Sequence, residues 1–215
     1  MIGTTRNVEI NLGNVTLKGI LSVPENSKGI IIFSHGSGSS RLSPRNNFVA
    51  KLLNEQQFAT LLFDLLTEKE DRVYENRFDI ELLTQRLINV TKWVKNNFES
   101  SSINNIGYFG ASTGSASALK AAAFFGDSIK GVVSRGGRTD LAGNEDLNKI
   151  NSPTLFIVGG FDDVVIALNR IAYSKLKCEK DFKIVSNASH LFEEPGKLEE
   201  VTALTISWFN EFFND

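Results

Sequence analysis

Two periodicities alternate along this chain. Short apolar runs, rich in β-branched and aromatic residues, recur at 29–34, 58–63, 105–109, 130–134, 154–159 and 181–185. Each predicts a strand, and 29–34, apolar from Ile30 to Phe33 on successive residues, has the pattern of a buried one. Between them lie segments with a helical period. The clearest, at about 76–98, repeats Ile80, Leu83, Leu87, Val90, Val94 and Phe98 and predicts a helix with one face on a sheet. The final one, 197–213, aligns Leu198, Val201, Leu204, Trp208 and Phe212, read as core. Further helices are predicted at about 45–57, 113–125, about 143–149 and 163–176. Ahead of the first run, Asn7–Leu12 and Val15–Val23 are separated by Gly13-Asn14, a hairpin signal. Strands alternating with helices imply an α/β fold: a mostly parallel sheet of about eight strands with an antiparallel N-terminal hairpin and helices on both faces.

Composition narrows this picture. The 215 residues, 41% hydrophobic, suffice for one sizeable core, and 1–215 is expected to form a single domain. The stretch between 130–134 and 154–159 is too short for a cap domain. A net charge of -2 and a pI near 5.8 give no reason to expect nucleic acid or an anionic membrane as partner. The start, Met1 to Arg6, lacks the apolar stretch of a signal peptide, and no apolar run has membrane-spanning length. Cys178 is the only cysteine, which excludes an internal disulfide and makes the cytoplasm the expected compartment.

The chemistry concentrates at the ends of the predicted strands. Ile106-Gly107-Tyr108-Phe109 leads into Gly110-Ala111-Ser112-Thr113-Gly114 and then into a small-residue helix. A serine on a sharp strand-to-helix turn has its hydroxyl pushed out of the sheet, and the flanking glycines keep neighbouring backbone clear. A serine hydroxyl is a weak nucleophile until a base takes its proton. Of the two histidines, His190 lies downstream of Ser112 on a loop just past the strand 181–185, where such a base belongs. An acid to orient it is expected at the end of the strand 154–159, where Asp162 and Asp163 stand side by side. One of the pair orients the imidazole and the other caps the following helix. The developing oxyanion needs N–H donors, one from Thr113 and the other from Ser37 in the loop after the strand 29–34. That loop reads His35-Gly36-Ser37-Gly38, and His35, upstream of the serine, is read as holding the turn in shape. None of this chemistry calls for a cofactor or a metal.

These motifs together resemble the α/β-hydrolases, specifically the dienelactone-hydrolase-like group in its small, lidless form. The resemblance covers essentially the whole chain. It rests on His35-Gly36-Ser37-Gly38, Gly110-Ala111-Ser112-Thr113-Gly114, Gly160-Phe161-Asp162-Asp163-Val164-Val165 and Ser189-His190-Leu191-Phe192. The spacing in that group implies Asp162, rather than Asp163, as the acid. Ser134-Arg135-Gly136-Gly137-Arg138 is similar to a bacterial subgroup, some of whose members are joined to a phosphoribosyltransferase-like domain. The enzymes that name the group use a cysteine where this chain has Ser112, so the resemblance implies a serine esterase acting on carboxylic esters, not a dienelactone hydrolase in the strict sense. A thioesterase or lysophospholipase would use the same triad, and a silent hydrolase fold used for binding is the reading from another class.

Substrate-side candidates are His35, Gly36 and Gly38, together with Arg135 and Arg138, whose planar forks suit a carboxylate or phosphate. The alternative for each arginine is a local acid such as Asp64, Glu68 or Asp140. The charged stretch Asp64 to Arg72 is predicted as a loop on the same side. The partner expected is a small-molecule ester, with the protein a monomer or homodimer.

Overall fold

The structure, a computed structural model, describes residues 3–98 and 105–213. Gly13, at φ +89°, turns β1 (Thr4–Asn11) back onto β2 (Thr16–Val23), registered antiparallel from Thr4 opposite Val23 to Asn11 opposite Thr16. β2 pairs antiparallel with β4 (Ala59–Phe63), and from there the sheet is parallel. It runs β1-β2-β4-β3-β5-β6-β7-β8, with β3 at Ile30–Ser34, β5 at Ile106–Ala111, β6 at Ile129–Arg135, β7 at Thr154–Gly159 and β8 at Lys180–Val185.

Successive residues of the central strands feed two different cores, which is why these strands read as unbroken apolar runs. Ile30, Ile32, Tyr108 and Phe156 pack toward α3 (Ile80–Phe98), α4 (Thr113–Phe125) and α6 (Asp163–Lys175). Ile31, Phe33, Phe109 and Ile157 pack toward α1 (Pro44–Glu55) and α7 (Lys197–Phe212). In α7, Val201 and Trp208 of the expected face are buried in that second core and Leu198, Leu204 and Phe212 partly so, while Phe209, outside the expected set, is fully buried there.

Three local departures have local causes. α1 ends at Glu55, not 57, because Gln57 adopts φ 67° and the Phe58 N–H returns to Leu53 O at 3.0 Å. α3 begins at Ile80, not 76: Tyr74–Phe78 form a 3-10 turn, and Asp79 Oδ1 accepts from Leu82 N at 3.0 Å to start the helix proper. Within the stretch predicted as a loop, Glu68–Asp71 form a single helical turn, α2. Thr67 and Glu70 make a reciprocal capping box there, a spacing visible in the sequence. After β6 come a 3-10 turn, Thr139–Ala142, and the short α5 (Asn144–Leu147), with no separate cap domain among the described residues. None of the described helices is long and apolar enough to cross a membrane.

Candidate active site

Ser112 joins β5 to α4 at φ 50°, ψ -122°, a conformation that a residue with a side chain holds only when its surroundings impose it. They do so from two sides. The β6 loop grips its backbone, with Ser112 N donating to Arg135 O at 3.2 Å and Arg138 N donating to Ser112 O at 3.0 Å. The flanking glycines let the strand and helix close on the turn. A Cβ on Gly110 would meet Ser115 Cα at 2.6 Å, and one on Gly114 would meet Ser34 O at 2.1 Å.

His190 follows β8 on a loop, and its Nδ1–H donates to Asp162 Oδ2 at 2.6 Å. The Asp162 side chain is only 16% exposed against 38% for His190, so the pair is shielded on the carboxylate side and open on the other. The shielding strengthens a charge-assisted hydrogen bond, and among the described residues Nε2 has no hydrogen-bond partner. Asp162 stands at the N-cap position of α6 and Asp163 is the first residue of the helix, exposed. The cap expected of one aspartate is not made, because the Asp162 side chain is turned to His190 and makes no cap hydrogen bond.

The loop after β3 is stitched to the head of α4: Ser37 N donates to Thr113 Oγ1 at 2.9 Å. The two expected oxyanion donors therefore stand together, one of them bonded to the other residue's hydroxyl. The Thr113 N–H is the first of the helix and has no carbonyl one turn behind it. His35 lies beneath this loop, its Nδ1–H donating to Gly36 O at 2.9 Å and its Nε2 accepting from Leu65 N at 3.1 Å. Burial holds this imidazole below its ordinary pKa, so it stays neutral. With both nitrogens engaged it clasps the β3 loop to the β4 loop and has no atom left for a substrate. Its candidacy for substrate contact is corrected on that ground, while its place as a scaffold agrees with the geometry.

Ser112 and His190 open onto one cavity of about 250 Å³, shared with Ser37, Arg45, Arg135 and Leu191. Gly36 lines it and Gly38 does not. The two arginines of the β6 loop part company. Arg138 forks onto Asp140 through two bonds of 2.9 Å and stays outside the cavity. Arg135 is 7% exposed, lines the cavity and has no carboxylate on it, the acids that stood as candidates being engaged elsewhere: Asp64 with Arg41 and Glu68 with Lys18. Arg45, at the start of α1, belongs to no motif and was not legible from the sequence. A larger cavity of about 420 Å³, between the β1–β2 hairpin and α1, contains none of these residues. Among the described residues no cluster of His, Cys, Asp and Glu has the makings of a metal site. Cys178 is far from this chemistry in the fold, and burial pushes its thiol pKa up.

A mostly parallel eight-stranded sheet with the strained serine at the head of the central helix defines the α/β-hydrolase class. No protein-family model matches the chain. The crystal structure of a dienelactone hydrolase from Anabaena variabilis is 46% identical, covers 99% of both chains and superposes with a TM-score of 0.94. Est1E from Butyrivibrio proteoclasticus, at 16% identity and TM-score 0.82 over 97% of this chain and 99% of its own, shares the fold. A protein named "Putative phosphoribosyl transferase" from Mycobacterium tuberculosis strain H37Rv is 51% identical over 202 residues. The match takes in 94% of this chain and 45% of that protein, so the chain spans about half the length of the curated relatives it matches. The chain belongs to the dienelactone-hydrolase-like family of α/β-hydrolases.

Proposed function

We propose that the chain hydrolyses carboxylic esters of small, soluble substrates through an acyl-enzyme on Ser112. The observation that carries this reading is the shared cavity. A serine in a strained turn and a histidine with a free Nε2 open onto it, and Asp162 holds the other ring nitrogen at 2.6 Å. His190 Nε2 takes the Ser112 proton as Oγ bonds to the ester carbonyl carbon. The tetrahedral oxyanion is met by the Thr113 N–H and by the Ser37 N–H, whose present acceptor, the Thr113 hydroxyl, gives way to it. The C–O bond to the alcohol then breaks, and the alcohol leaves with the proton from His190. Water repeats the sequence on the acyl-enzyme, releasing the acid and restoring Ser112. Asp162 keeps the proton on Nδ1 throughout and stabilises the imidazolium without itself becoming protonated.

The mycobacterial relatives' transferase name attaches to proteins of which this chain matches less than half, and nothing in the cavity calls for that chemistry. The confined volume supports short acyl groups over long ones. A p-nitrophenyl ester series from acetate to palmitate tests the reading. Turnover that falls with chain length, preceded by a burst and abolished in Ser112→Ala, is expected. No turnover of any member, or activity retained in Ser112→Ala, refutes it.

A further inference from the structure

Arg135 is the last residue of β6 and is 7% exposed, yet its Nε and Nη1 are buried without a hydrogen-bond partner among the described residues. Its guanidinium carbon lies 5.9 Å from the centroid of the Phe192 ring, a contact that eases a buried cation but accepts no hydrogen bond. The site's own carboxylate, Asp162, is taken by His190. Burial, joined by the charge of a second cation, Arg45, lowers the Arg135 pKa to about 10, which leaves the group charged at neutral pH. Arg45 sits in the first turn of α1, the positive end of that helix, with Nη1 on the exposed Glu193 at 2.6 Å and Nε buried and unpartnered. A buried, charged guanidinium with open donors is costly unless an anion meets it.

Both arginines line the cavity of Ser112 and His190. Arg135 is registered opposite Ala111, so its Cα stands about one strand spacing, ~4.8 Å, from the residue that precedes the serine. Its side chain falls on the same face as Val133, which packs in the core that α1 covers. The open donors are therefore beside the serine rather than remote from it.

We propose that Arg135, with Arg45, forms an oxyanion-binding subsite of this cavity, and that the substrate is a small ester carrying a phosphate or carboxylate group a few bonds from its scissile carbonyl. The inference rests on the ester-hydrolase reading of Ser112 and names the substrate class for it. Phosphate and carboxylate share the chemistry, two oxygens facing a planar fork of donors.

Matched ester pairs test it. One is p-nitrophenyl hydrogen succinate against p-nitrophenyl butyrate, and the other is 2-acetoxyethyl phosphate against 2-acetoxyethanol. The anionic member of at least one pair is expected to be favoured about 10²-fold in kcat/KM, and the pair that shows it separates carboxylate from phosphate. In Arg135→Met the ratio is expected to fall to about one, mainly through KM, with Arg135→Lys between the two because a point charge lacks the fork. Malonate and inorganic phosphate provide a readout independent of turnover: at least one should raise the melting temperature of the wild type and neither that of Arg135→Met. Ratios of one or less in the wild type, or a preference that survives Arg135→Met, overturn the proposal. If no ester is turned over, the reading of Ser112 fails, and the anion-dependent melting shift alone decides the subsite: its presence supports the subsite and its absence overturns it.

Discussion

Replacing Gly114 by alanine places a methyl group where the structure has none to spare. The added Cβ would lie 2.1 Å from Ser34 O and 2.5 Å from His35 O, against an ordinary contact of 3.4 Å or more. Both obstacles are backbone, one in the last residue of a buried central strand and the other in the residue after it, so they do not swing aside. The helix must instead retreat by about 1 Å, and overpacking of this kind costs about 1–3 kcal/mol. For a chain of this size that corresponds to a melting temperature lower by roughly 2–12 °C. The same retreat carries Ser112 and the Thr113 N–H away from the β3 loop and breaks the 2.9 Å bond from Ser37 N. A displacement of about 1 Å at reacting groups is expected to lower kcat by ~10²-fold. Thermal melting and turnover of p-nitrophenyl acetate, measured on one preparation, test both effects. Gly38→Ala is the comparison for the steric part: it has nothing within 4 Å of the new Cβ, although its φ of +68° adds a backbone cost that Gly114, inside α4, does not carry. A Gly114→Ala protein that melts with the wild type and keeps its kcat would refute the close approach of β3 to α4 on which the site is built.

The paired aspartates should separate cleanly. Asp162→Asn is expected to reduce kcat by about 10³–10⁴, whereas Asp163→Asn, exposed at the first position of α6, should cost little; steady-state kinetics in which the two effects are exchanged would contradict the assignment. His35→Ala should lower kcat by about 10²–10³ by loosening one oxyanion donor, far less than His190→Ala. The depressed pKa of His35 also has a consequence for stability. Folded His35 binds its proton less readily than in the unfolded chain, where the ordinary value is 6.5, so stability is full above that pH and declines as pH falls below it. Melting curves between pH 7 and 5 should show that decline, and His35→Gln should make it shallower.

Much of the fold was legible because β3, β5 and β7 are buried on both faces and so carry unbroken apolar runs. Where the reading slipped, side chains acting on the backbone decided the matter. The start of α3 is set by Asp79 rather than by hydrophobic period, and α2 exists because Thr67 and Glu70 cap it. In the candidate site, Ser112 and His190 stand on the strand-end loops where composition placed them, whereas composition left Asp162 and Asp163 open and only the family resemblance favoured Asp162, the one that meets His190. The fates of Arg135 and Arg138 were not, although both belong to one five-residue motif. Arg138 has left the strand and finds Asp140 two residues on, while Arg135 is still in β6 and its side chain is carried under the site. Arg45 is 90 positions from Arg135 and meets it only through the packing of α1 beside the strand ends, which no local pattern encodes.

Covalent capture of the nucleophile tests the central claim most directly. Treatment of the protein with a fluorophosphonate, followed by intact mass and peptide mapping, should give one adduct per chain, located on Ser112. The adduct should be absent from Ser112→Ala and form far more slowly in His190→Ala. A protein that stays unlabelled, or that carries the adduct on another residue, would contradict the account.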